Sequence, residues 1–182
     1  MFLCTGNICR SPLAEALLSR RLARLGIDAT VSSAGLITED APVTPDALES
    51  AAALGLDTSA HRSRRMTREM VERADLVIGM AREHVREVLV LVPSAWPKTF
   101  TLKELVRRGE QTGALTPGQP LDEWLAQVGT GRNRQDLLGQ SRDDDVIDPI
   151  GRDKATYERV GAQLDDLVTR LVALVWGAGA PG

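Results

Sequence analysis

The sequence predicts an α/β fold built on a parallel sheet. Three features carry that expectation. Short strand-like runs alternate with helical ones from the first residues onward, Gly and Ser-Pro or Thr-Pro pairs punctuate the changes, and the C-terminal segment repeats apolar residues every three or four positions. Phe2-Leu3 reads as a first strand, Pro12–Leu25 as a helix closed by Gly26, and Ala29–Ser32 as a second strand, which together make a βαβ unit. Thr44-Pro45 and Thr67 each open a further helix, because a hydroxyl residue caps and a proline fits the first turn. Leu76-Val77-Ile78 reads as a third strand, Arg82–Val90 as a helix and Lys98–Thr101 as a short fourth strand. Between 109 and 145 the chain turns to Gly, Pro, Gln and charge, an insertion whose one amphipathic island is Leu121, Trp124, Leu125 and Val128. Tyr157, Val160, Leu164, Leu167, Val168, Leu171 and Val175 then share one face of a long helix laid against the sheet. Residues 1–176 form one domain in this reading, followed by a flexible Gly- and Ala-rich tail over 177–182.

Composition bounds the function. A chain of 182 residues with 43% hydrophobic and 26% charged residues and a net charge of −3 is an ordinary globular protein, so neither nucleic acid nor a membrane is expected as a partner. Any anion site must then be local. Cys4 and Cys9 lie too close together to staple the fold and no leader segment precedes them, which points to a reducing cytoplasm. The longest apolar run, Val88–Val92, is far too short to span a bilayer. Two histidines far apart, His61 and His84, offer no metal-ligand spacing, and His84 has no assignable role. The basic run Arg62, Arg64, Arg65 and Arg68 reads as a solvated helix start, with docking of an acidic partner as the alternative.

The chemistry concentrates in Cys4-Thr-Gly-Asn-Ile-Cys-Arg-Ser-Pro12, at the turn of the first βαβ unit. Gly6 admits a positive φ and Asn7 tolerates one, so successive N–H groups can turn inward as an anion nest at the start of a helix. Pro12 fits the first helical position, Ser11 the N-cap, and Arg10 brings a planar fork matched to two phosphate oxygens. Cys4 lies beneath this cradle, where the dipole, the amides and Arg10 favour thiolate over thiol. No Gly-Lys-Ser/Thr ends the loop and no G-x-G-x-x-G is present, which excludes both common nucleotide-phosphate loops. Cys9 is either a resolving thiol for an oxidised Cys4 or a packed core residue.

With this loop, with Ser32–Gly35 (SSAG), Ala74–Met80 (ADLVIGM), Phe100–Val106 (FTLKELV) and Asp148–Gly151 (DPIG), the chain resembles the bacterial low-molecular-weight protein tyrosine phosphatases over nearly its whole length. The resemblance implies a four-stranded parallel sheet of order 2-1-3-4 with helices on both faces, and no metal or organic cofactor. It implies Cys4 as nucleophile, Arg10 as phosphate clamp and Asp148 as general acid, and a cysteinyl-phosphate intermediate formed from phosphotyrosine-containing protein substrates. It implies Thr5, Gly6, Asn7, Ile8, Cys9 and Ser11 as the phosphate-binding loop, supported by Ser33 and His61. It implies no particular oligomeric state.

The chain also departs from the family pattern. Only Met1, Phe2 and Leu3 precede Cys4; Ile150 stands where an aromatic residue is usual; Leu36–Ala41 offers no ring; and the 109–145 insertion is long, with Trp124 available to serve at the pocket mouth. In members acting on phosphoarginine the position of Ile8 is threonine, so Ile8 favours an aryl phosphate. Protein-arginine phosphatase remains the alternative, arsenate reductase a lesser one because no cysteine follows Cys9, and a non-enzymatic phosphate-binding module a third, to which an intact nucleophile and acid are opposed.

Overall fold

Strands β1 (Phe2–Cys4), β2 (Ser33–Gly35), β3 (Val77–Gly79) and β4 (Thr99–Thr101) pair in parallel in the order β2-β1-β3-β4 in a computed structural model that describes residues 1–177. The flexible tail expected over 177–182 therefore lies outside the described residues but for its first. Register pairs Cys4 with Gly35 and Leu3 with both Ala34 and Gly79, so Cys4 ends a central strand. Among the described residues seven α-helices accompany the sheet: α1 (Arg10–Arg24), α2 (Pro45–Ala53), α3 (Arg68–Arg73), α4 (Arg82–Leu91), α5 (Leu102–Thr112), α6 (Leu121–Val128) and α7 (Lys154–Val175).

Strand alternation divides the core into two layers. Phe2, Cys4, Ile78 and Phe100 face the apolar stripes of α1, α5, α6 and α7, including Leu17, Leu105, Leu125, Leu164 and Leu171. Leu3, Ala34 and Val77 face the other way, onto Val71 of α3 and Val88 of α4. Helices thus cover both faces, which lets parallel strands be apolar on both sides.

Three elements differ from the sequence reading. The second strand is Ser33–Gly35, not Ala29–Ser32, which runs ahead of the sheet with Ala29 and Thr30 exposed. Close packing selects these small residues over β-branched ones: a Cβ on Gly35 would lie 2.9 Å from the Cβ and the backbone N of Asn7. Helix α1 begins at Arg10 with Cys9 in the N-cap position, so Ser11 is not a cap and Pro12 is the third helical residue, still within the turn that tolerates proline. Trp124 does not line a pocket mouth. It is buried in the core, its indole against Gly109 and its Nε1 donating to Gly113 O at 2.9 Å, because α6 turns Trp124, Leu125 and Val128 inward.

Among the described residues no helix is long and apolar enough to cross a membrane, and no group of three or more His, Cys, Asp or Glu side chains could hold a metal ion.

Candidate active site

The loop from Thr5 to Cys9 joins the end of β1 to α1, at the carboxyl edge of the sheet where the strand order reverses. Its carbonyls are held from outside. Thr5 O accepts from Leu36 N at 2.8 Å and Ile37 N at 3.2 Å, Asn7 O contacts His61 Nε2 at 2.9 Å, and Ile8 O accepts from Thr44 N at 3.0 Å. With the carbonyls turned outward the amides face inward, and that of Asn7 donates to Cys4 Sγ at 3.2 Å.

Asn7 is the pivot. It is fully buried at φ +53°, a conformation that asparagine accepts more readily than most residues. Its Nδ2 donates to Ser11 Oγ at 2.9 Å and to Ser33 Oγ at 2.8 Å, while Oδ1 accepts from Arg64 N at 3.0 Å. Ser33 in turn donates to Glu15 Oε2 at 2.5 Å. Because Ser11 Oγ already accepts from Asn7, its own proton is free for Cys4 Sγ, 3.0 Å away. Two donors thus converge on the sulfur.

Arg10 is 3% exposed and reaches across the loop. Its Nη1 donates to Val146 O at 3.0 Å and its Nη2 to Asp148 Oδ2 at 2.6 Å. The Asp148 side chain is 42% exposed, so the carboxylate stands at the mouth and not in the core. Its Oδ1 accepts from Ile150 N at 3.2 Å, which makes a turn over buried Pro149. Upstream, Asp144 binds Arg82 at 2.7 Å and Arg107 at 2.6 Å, Asp145 Oδ1 accepts from Arg82 N at 2.8 Å, and Val146 N donates to Met80 O at 2.7 Å. The segment bearing Asp148 is therefore clamped to α4, α5 and the end of β3.

The structure brings Cys4, Thr5, Gly6, Asn7, Ile8, Arg10, Ser11, Ser33, His61 and Asp148 to one edge of the sheet. The Ile8 side chain lies over Gly6, where a Cβ would meet Ile8 Cγ1 at 3.1 Å and Thr38 Oγ1 at 3.4 Å. Cys9 packs with Val43, Ala47 and Tyr157 in a separate apolar cluster, and burial pushes its thiol up to about 12. That environment is the packed-core alternative for Cys9; it makes a poor resolving thiolate.

Sequence reasoning missed His84. The ring is 0% exposed, its Nδ1 accepts from Ala81 N at 2.9 Å and its Nε2 lies 3.2 Å from Thr5 Oγ1. Burial first, and the nearby Arg10 guanidinium second, lower its pKa to about 3. Its position just beyond β3, whose end neighbours that of β1, was the available signal. The clamp by Arg82 and Arg107 was also missed, since nothing local marks an arginine as the partner of an aspartate about sixty or forty residues away.

The low molecular weight phosphotyrosine protein phosphatase family matches residues 1–120. Over 172 residues the chain is 30% identical to a protein-arginine-phosphatase of Bacillus subtilis (strain 168), covering 94% of this chain and 92% of that one. Over 110 residues it is 34% identical to the low molecular weight protein-tyrosine-phosphatase Etp of Escherichia coli (strain K12), covering 60% and 72%. A solved YwlE arginine phosphatase, with serine in place of its active-site cysteine and that serine phosphorylated, superposes with a TM-score of 0.70 at 30% identity, covering 93% of this chain and 90% of that one.

Proposed function

The chain belongs to the low molecular weight phosphotyrosine protein phosphatase family, a family of cysteine-dependent phosphatases, and on that premise we propose that it hydrolyses protein phosphotyrosine with Cys4, Arg10 and Asp148 as its reacting groups. The observation that carries the assignment of roles is the convergence of Asp148 from far along the chain on the Cys4–Arg10 loop: Cys4 beneath the loop with two donors on its sulfur, and Arg10 and Asp148 paired above it at 2.6 Å.

In the first step the Cys4 sulfur attacks phosphorus in line with the phenolic oxygen. The S–P bond forms, the P–O bond breaks, and the leaving oxygen takes its electron pair and a proton from the Asp148 carboxyl. Arg10 and the inward amides hold the three peripheral oxygens as charge redistributes among them. In the second step the Asp148 carboxylate takes a proton from water, the water oxygen attacks phosphorus, and the S–P electrons return to Cys4. The acid is thereby regenerated and phosphate leaves. Ser11, Asn7, Ser33 and His61 hold the loop and sulfur throughout. A cytoplasmic location fits both cysteines being free thiols.

Arginine phosphatase is the second reading, on a specific observation: the exposed large side chains beside the site are aliphatic, Ile37 at 68% and Ile150 at 45% exposure, and give a phenyl ring no aromatic wall. Side-by-side turnover of phosphotyrosine, phosphoserine, phosphoarginine and arsenate by the purified protein and by Cys4→Ser decides. Preferred hydrolysis of phosphotyrosine, lost in the variant, supports the proposal. A phosphoarginine preference replaces it with the second reading, and arsenate reduction or full activity in the variant overturns both.

A further inference from the structure

His84 is fully buried, touches the loop and has no part in the steps above. Its proton position follows from its surroundings. Nδ1 accepts from the Ala81 amide at 2.9 Å and so carries no hydrogen, and a neutral ring must then carry its hydrogen on Nε2. That hydrogen faces Thr5 Oγ1 at 3.2 Å, with Glu83 Oε1 beside it at 3.5 Å. Arg10 Nη2 also points at Thr5 Oγ1, at 3.4 Å.

A hydroxyl oxygen has two lone pairs, and here both face donors. The Thr5 hydroxyl can therefore only donate. In the free protein its acceptor is Glu83 Oε1, 3.4 Å away on an exposed side chain that solvent can also satisfy. The oxygen lies beside Nη2, the Arg10 nitrogen that the structure aims at Asp148. An anion seated against that nitrogen presents a stronger acceptor to the same hydroxyl.

We infer that Thr5 is a side-chain donor to the phosphoryl group in the cradle, and that His84 is the positioning residue that fixes this donation by occupying the Thr5 oxygen from behind. The loop then offers the substrate a hydroxyl in addition to its amides and guanidinium, its oxygen already fixed and its proton free to turn from Glu83 to the phosphoryl group. A buried histidine suits this task because its tautomer is locked by the Ala81 amide; Glu83, Arg10 and Arg86 are the charged groups facing it. The inference rests on Cys4 and Arg10 acting as nucleophile and clamp.

A double-substitution cycle tests it with an aryl phosphate as substrate and vanadate as ligand. Thr5→Val removes the hydroxyl at nearly constant shape, and we expect kcat to fall about tenfold or more with vanadate affinity falling alongside, as for loss of one preorganised donor. Thr5→Ser restores both. His84→Asn keeps an acceptor for the Ala81 amide but is too short to reach Thr5; it reproduces the loss in the native background and adds nothing in Thr5→Val. Losses that simply add in the double variant, or a Thr5→Val protein with native kcat, overturn the inference. Should His84→Asn fail to fold, nitrogen-15 spectra of the native protein still decide: an Nε2-protonated ring whose Nε2 signal shifts on adding vanadate supports it, and an Nδ1-protonated or vanadate-indifferent ring overturns it. A native protein inactive on every phosphate ester would instead defeat the reading of Cys4 and Arg10.

Discussion

Arg10 Nη2 and Asp148 Oδ2 lie 2.6 Å apart across 138 residues of sequence, the one nearly buried and the other at the mouth. The Asp148 oxygen thus stands against the guanidinium nitrogen that the proposed mechanism assigns to a phosphoryl oxygen. On the mechanism proposed above, substrate binding would exchange one anion for another on Arg10 and leave the released carboxyl beside the leaving group.

Asp148→Asn keeps the shape and removes the proton. We expect it to slow esters with poor leaving groups by about 10²–10⁴ and activated aryl phosphates much less, because an acidic phenol departs without protonation. Rate measurements across a series of phenols of graded acidity check this; equal losses on all of them would make Asp148 structural.

Cys4→Ser should abolish turnover yet still bind phosphate or vanadate, since the loop amides and Arg10 remain. Arg10→Lys should lose about 10²–10³ in kcat/KM, because an ammonium cannot span two oxygens. Calorimetric binding of vanadate alongside turnover separates the two effects.

Ile8→Thr bears on substrate choice. The Ile8 side chain lies over Gly6 in the loop, where a Cβ would meet its Cγ1 at 3.1 Å. Replacing it should raise phosphoarginine turnover relative to phosphotyrosine, with the ratio moving by about 1–3 kcal/mol in kcat/KM. An unchanged ratio would remove Ile8 as a determinant.

His84 gives stability a pH dependence with a defined sign. In the unfolded chain it binds a proton near 6.5, and in the fold only near 3. Between those values the unfolded state holds more protons, so stability is complete above 6.5 and is lost as pH falls toward 3. From pH 6.5 to 4.5, where most carboxylates are still ionised, the loss should be about 2–3 kcal/mol. Urea unfolding at both pH values checks this, and His84→Gln should flatten the difference.

What the sequence made legible follows from what is local. The Cys4–Pro12 loop declares itself because its nucleophile, positive-φ residues and clamp are neighbours in the chain, and α7 because its apolar period runs unbroken for six turns. Strand β2 was hidden because Ser33, Ala34 and Gly35 were chosen for closeness to Asn7 and not for strand preference. His84 and the Arg82–Asp144–Arg107 clamp were hidden because their partners are tertiary, and no spacing in the chain announces them. Asp148 could be named only through resemblance, since an Asp-Pro pair by itself marks a turn.

Gly35 has no reactive atom, yet a methyl group there would press on the backbone N of Asn7 and on Gly6 C, each at 2.9 Å. The loop cannot yield without disturbing the amide that donates to Cys4. A search for inactivating substitutions should accordingly return position 35 beside positions 4, 10 and 148, and its alanine variant should fold with an altered pocket. Damage at such a site would be invisible to any survey that scores residues by their functional groups.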